Sequence, residues 1–200
     1  MKGLSDTVAS VNKRMEKIET ERELSIAASR MIIRKTKHVI HSIHLNEDHT
    51  DALRELKQDI QKLNSDLKYE PEIYYSGAVA DAMMEYAEAS LLSAIVLEKT
   101  IPSFDDLNIT PQAWIMGLAD CIGEMRRIVL NRLMADDLKG AESIFNEMED
   151  MSNELLMFDV PDAILPVRRK QDVTRSIMER TRADMANAIL MKEYRTKHCL

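Results

Sequence analysis

Glycine and proline are scarce, with five of each in 200 residues. Few positions therefore stop a helix or need a positive φ. Runs of β-branched residues, which strands favour, are nearly absent. Aromatic residues make up 4%, which leaves few platforms for stacking single-stranded bases. Two cysteines, Cys121 and Cys199, make no disulfide framework. They read as free thiols in a reducing compartment, the cytoplasm. The opening MKGLSDTVASVNKR has no apolar run of the signal-peptide kind. The most apolar stretch, residues 78–97, carries Asp81, Glu85 and Glu88, which argues against a membrane span. There is no glycine-rich phosphate loop and no G-x-S-x-G elbow. His38 and His49 lack a partner at zinc-ligand spacing.

What the chain does have is Leu, Ala, Met, Glu, Lys and Arg, all strong helix formers. The composition predicts an all-α protein, and 200 residues suit one domain with a sizeable core. Residues 1–20 are either a looser segment or an extension of the first helix. That helix covers 5–45, with Leu24, Ala28, Met31, Ile32, Val39 and Ile43 along one side. A turn at 46–50 precedes a second, polar helix over 50–68, with a narrow stripe of Leu53, Leu56, Ile60, Leu63 and Leu67. Glu70-Pro71-Glu72 opens a third helix that runs to Glu98. Asp105 and Asp106 fall in the following loop. Thr110-Pro111 starts a fourth helix, Thr as N-cap and Pro at the first helical position, ending near Met134. A fifth begins at Asp136-Asp137 and ends near Phe158. The last helical region, broken or not at Pro166, has Val173, Ile177, Met185, Ile189 and Leu190 as apolar positions. The expectation is a bundle of six or seven helices in one domain over 1–200.

Three features carry candidate chemistry. In the third helix Glu85 and Glu88 are three residues apart and so share a face. Their helix is apolar nearly all round, with Val79, Met83, Met84, Leu91, Leu92, Ile95 and Val96, so it should be buried. Buried carboxylates need a cation, a donor or a raised pKa. In the fourth helix Asp120 and Glu124 share a face with Arg127 and Asn131, opposite Trp114, Leu118, Met125 and Val129. If the two pairs converge, four carboxylates offer hard donors for Mg²⁺ or Mn²⁺. Such ions activate water and steady the leaving oxygen of a phosphodiester. The ordinary alternatives are ion pairs to neighbouring Arg or Lys for the first pair and a solvated face for the second. Cys121 falls on the apolar side and reads as core.

The third feature is basic. The net charge of −7 opposes general attraction to phosphate. Yet Arg30, Arg34, Lys37 and His41 fall at i, i+4, i+7 and i+11 of the first helix, and His44 continues the line. Residues 161–200 hold nine Lys or Arg against five Asp or Glu, including Arg168, Arg169, Lys170 and Arg175. Both are either phosphate-facing surfaces or charged faces paired with nearby acids. Scarce aromatics favour backbone contact over base reading.

EYAEA (85–89) and GLADCIGEMRR (117–127) resemble the signature segments of the translin family, which includes translin and translin-associated factor X. SRMIIRKTKHVIHSIH (29–44) resembles its first long helix, and LPVRRKQDVTRSIMER (165–180) its C-terminal helix region. The likeness spans about residues 20–190. It implies a seven-helix fold assembled into a hollow octamer that holds RNA inside. In translin-associated factor X, acids of the two signature segments form a metal-dependent endoribonuclease site. By position these are Glu85, Glu88, Asp120 and Glu124, as catalytic residues and as ligands of Mg²⁺ or Mn²⁺. Arg30, Arg34, Lys37 and His41 match the nucleic-acid-binding region. Arg127 either stabilises phosphate charge or pairs with Glu124. All four acids are present, so the chain looks closer to the catalytic partner, or to an archaeal-type single chain, than to translin itself.

The leading expectation is therefore a cytoplasmic homo-oligomer that binds RNA, with single-stranded DNA as a further ligand, and cleaves RNA. A non-catalytic nucleic-acid-binding module is the second reading. A structural helical oligomer without nucleic acid is the third.

Overall fold

The computed structural model describes residues 2–198. Among them are eight helices and no strand. The first, α1, is a single unbroken helix over Leu4–His44. Then follow α2 (Thr50–Asp66), α3 (Pro71–Tyr74), α4 (Gly77–Val96), α5 (Phe104–Leu107), α6 (Pro111–Met134), α7 (Leu138–Leu156) and α8 (Arg168–His198).

The all-α expectation holds, and two local readings are corrected. The single helix expected over 71–98 is two elements. Pro71 does start a turn of helix, but Ser76 is extended (φ −71°, ψ 154°) and begins α4 afresh. Asp105 and Asp106 are helical rather than in a loop. Ser103 and Asp106 cap each other's backbone amides and close the short α5. The expected starts of α6 and α7 are confirmed in their chemistry: Thr110 accepts from the Ala113 amide and Asp137 from the Gly140 amide. The last helix starts after Pro166, at Arg168.

The central element is α4, which lies between α1 and α6. It has few polar faces because it is covered nearly all round, and twelve of its residues are buried. Arg14 pairs with Glu70, just before α3, through two bonds of 2.7 and 2.5 Å. His49, just past α1, meets Ser93 near the end of α4 at 2.8 Å. The chain therefore takes α1 and α4 in the same direction. α7 and α8 pack on α6, and α2 on α1. The Arg14 guanidinium holds the Glu70 carboxyl below the usual carboxylate range.

Gly117 sets the distance between α4 and α6. A Cβ there would stand 2.6 Å from the Met84 carbonyl oxygen and 2.7 Å from the Ala87 Cβ. Only glycine lets the two backbones approach this closely.

The buried seam of α1 runs through Ser25, Ser29, Ile32, Thr36, Val39 and Ile43. Half of it is small polar side chains, which a search for apolar spacing overlooks. Leu24, placed on the apolar side from spacing, is 65% exposed. Val173, Ile189 and Leu190 are also exposed, because the seam of α8 is Gln171, Thr174, Met178, Thr181 and Met185. No helix among the described residues is long and apolar enough to cross a membrane.

Candidate active site

The close approach at Gly117 brings the third and fourth turns of α4 against the first half of α6. Glu85 and Glu88 of α4 then face Asp120 and Glu124 of α6. The effect is read on Glu88, whose carboxyl is pushed up to about 8. Burial is the largest cause, followed by the negative charges of Asp120, Glu85 and Glu124. Glu85 is raised too, by burial first and by Asp120 and Asp81, while Lys37 pulls it back. The four acids named from the sequence thus form one electrostatic unit, and its deepest member resists ionisation.

The two acids of α6 have direct side-chain partners. The Lys170 ammonium from the start of α8 rests on Asp120. The His44 ring at the end of α1 meets Glu124 through Nε2. Arg127, one turn on in α6, stands 3.8 Å from Glu124 with its side chain 56% exposed. Among the described residues, Glu85 and Glu88 have no cation within ion-pair distance. The ordinary alternative of ion pairs is therefore realised on α6 and absent on α4, the reverse of what spacing suggested. Lys170 lowers both Glu85 and Glu88 from a greater distance.

His44 departs from its expected place. It was read as a continuation of the exposed basic stripe, but its side chain is only 3% exposed. Arg30, Arg34, Lys37 and His41 are exposed as expected. They form a basic border on α1, and Lys37 is the member whose charge reaches Glu85.

The C-terminal basic cluster divides. Arg168 turns to Asp159 and Asp162, Arg175 to Asp172 at 2.7 Å, and Lys170 alone reaches the acids. Sequence reading put Lys170 in a general basic run and missed this role. The signal was available: Lys170 directly precedes Gln171 on the buried seam of α8, so it sits at the edge of the α6 contact. Cys121 is fully buried and free, and burial holds its thiol far above the usual range. It is core, as expected. Cys199 lies outside the described residues.

The donor set fits a divalent cation in chemistry: four carboxylates, all hard oxygen donors. The raised Glu88 carboxyl fits it in charge, since a cation would relieve the repulsion that keeps Glu88 protonated. The side-chain positions are another matter. Among the described residues no three His, Cys, Asp or Glu side chains gather closely enough to hold one ion. Lys170 and His44 take up Asp120 and Glu124 instead, so loading would exchange these contacts for ligand bonds.

Comparison with known proteins gives a consistent picture. The model of the translin family matches residues 6–181. An uncharacterised protein of Methanocaldococcus jannaschii is 38% identical over 175 residues, covering 86% of this chain and 78% of the relative. The crystal structure of AfC3PO is 32% identical with a TM-score of 0.77, covering 92% of this chain and 98% of that one. The structure of an AfC3PO–duplex RNA complex is 29% identical with a TM-score of 0.78, covering 92% and 97%. Apo-NeC3PO, at 22% identity and a TM-score of 0.80, shares the fold.

Proposed function

The chain belongs to the translin family, and from that premise we propose that it binds RNA as a homo-oligomer and cleaves it with the help of Mg²⁺ or Mn²⁺. The observation that carries the proposal is the Glu88 carboxyl, raised to about 8 by burial and by the three other acids. A half-buried, mutually repelling set of carboxylates costs stability, which is typical of functional sites. The RNA complex of the AfC3PO relative supports the choice of ligand. The octameric state and any binding of single-stranded DNA rest on the family resemblance.

Glu85, Glu88, Asp120 and Glu124 would hold the cation. When bound, it supplies an acidified water and charge neutralisation at the phosphate. The rest is done by the chain. Arg30, Arg34, Lys37 and His41 lie along one exposed side of α1 and can track the RNA backbone. Arg127, half exposed beside Glu124, can bind the phosphate under attack. Lys170, once released from Asp120, is placed to do the same from the α8 side.

A second reading is a binding module without catalysis. It is favoured by the pairing of Asp120 with Lys170 and Glu124 with His44, and by the lack of three gathered ligands. One experiment separates the two. The purified protein is incubated with labelled RNA and Mn²⁺, Mg²⁺ or chelator. The nuclease reading expects metal-dependent cleavage that Asp120→Ala and Glu88→Ala each abolish while RNA binding and assembly persist. Cleavage retained in both variants would remove the site assignment. Binding with no cleavage under any metal would leave the second reading.

A further inference from the structure

Beyond His44 the face of α6 that carries Asp120 and Glu124 continues to Asn131 and opens on a cavity of about 400 Å³. Its walls come from the C-terminal ends of α1 and α4 and the second half of α6. We infer that this cavity is a subsite for one unpaired nucleobase of an RNA strand whose backbone lies across the acid cluster. The inference rests on the RNA-binding part of the function proposed above and adds a requirement on the RNA.

The size suits a small flat ligand, since ligand pockets start near 300 Å³. The apolar walls are Ile43, Val96 and Ile128. Branched aliphatic side chains can hold the two faces of a base where aromatic rings are lacking. Two of the polar groups are held in place. Arg132 donates to the Gly140 carbonyl at 2.6 Å. Asp137 accepts from the Gly140 amide at 2.9 Å as the N-cap of α7. Asn46 is held in the left-handed region (φ 55°) just after α1, a conformation asparagine tolerates. Asn46 and Asn131 each offer a donor and an acceptor, the pattern of a base edge.

The same lining argues against a phosphate here. Asp137 contributes negative charge, and the one guanidinium is already engaged by a carbonyl. A neutral ligand with hydrogen-bonding edges fits better than an anion.

Position ties the cavity to the acids. Asn131 is seven residues past Glu124, two turns along the same face, or about 10 Å. Arg127 lies between them with its guanidinium half exposed. A strand with one phosphate near Arg127 can therefore place a neighbouring base at Asn131. His44 lines the cavity and also touches the acid cluster. Its Nε2 faces Glu124 while its Nδ1 is buried with no hydrogen-bond partner among the described residues. A buried ring nitrogen left without a partner is uncommon enough to call for a role. A base in this cavity cannot at the same time be paired, so the strand must be open at that position.

The test uses the full-length protein carrying Asp120→Asn, so that RNA stays intact. Its affinity is measured by fluorescence anisotropy for a labelled single-stranded RNA dodecamer and for the same RNA with an abasic nucleotide moved through each position. The expected result is one position at which base removal weakens binding roughly tenfold, the worth of one well-made base contact. Adding Asn131→Ala, or Asn131→Trp to fill the space, should abolish that difference and leave the other positions unchanged. A flat abasic scan, or a sensitive position indifferent to both Asn131 variants, overturns the subsite. Absence of RNA binding overturns it together with the function proposed above. Absence of metal-dependent cleavage by the unmodified protein sinks only the nuclease reading, because the scan reads binding.

Discussion

Gly117 and Met84 meet so closely that a methyl group on Gly117 would stand 2.6 Å from the Met84 carbonyl oxygen. The next nearest atoms are the Ala87 Cβ and the Glu88 backbone nitrogen, at 2.7 and 3.0 Å. This contact puts α6 where its two acids face those of α4. Gly117→Ala must push the helices apart, because the atoms in the way are backbone and Cβ rather than flexible side-chain ends. The expected loss is about 1–3 kcal/mol, seen as a fall in Tm of roughly 2–10 °C. Any cleavage activity should fall further than the stability change explains. An unchanged Tm would show that the close approach does not govern helix spacing.

Glu88 makes stability depend on pH in a defined direction. Its folded value, about 8, lies above the ordinary glutamate value of 4.5. Between these values the folded state keeps a proton that the unfolded state has lost. The contribution is thus fully present below the unfolded value and is lost as pH rises towards 8. Glu88→Gln removes the ionisation. Without metal, the variant should be more stable than the parent at pH 8, by at most about 5 kcal/mol for a rise of this size, with the difference shrinking towards pH 4.5. Thermal unfolding across that range checks it. A variant less stable at pH 8 would mean that the site relaxes around the charge.

Lys170 and a cation compete for Asp120. In Lys170→Met the acid cluster loses its direct partner, so metal-free stability at pH 7 should drop by about 1–2 kcal/mol. Added Mn²⁺ should then raise Tm more in the variant than in the parent, since no ammonium has to be displaced. Equal metal-induced shifts in the two proteins would separate Lys170 from the metal site.

The border on α1 should act through charge alone. Arg30→Ala, Arg34→Ala and Lys37→Ala together should weaken RNA binding without choosing among sequences. On a single strand each lost phosphate contact lowers the slope of log affinity against log salt by about 0.7, so three remove about 2. A titration at several salt concentrations reads this directly. An unchanged slope would place the RNA on another surface.

Much of this was legible in local patterns. Thr110-Pro111 and Asp137 mark helix starts through capping chemistry that acts within one turn. Glu85 with Glu88, and Asp120 with Glu124, share faces by helical spacing alone. The misreadings have local causes of another kind. Ser76 and Ser103 reset the backbone with little compositional signal. The seams of α1 and α8 use Ser, Thr and Gln where apolar residues were sought.

The sequence by itself determined the all-helical class and the shared face of each acid pair, because helix propensity, capping and spacing are properties of neighbouring residues; the family showed itself in the resemblance of the motifs at 85–89 and 117–127. Tertiary structure decided the partners. That Lys170 rather than an arginine beside it rests on Asp120, fifty residues away, depends on the register of α8 on α6. That His44 leaves its stripe to meet Glu124, eighty residues away, depends on how α1 ends against α6. No periodicity encodes either distance. Both follow from how α1 and α8 pack on α6, whose own distance from α4 is set at Gly117.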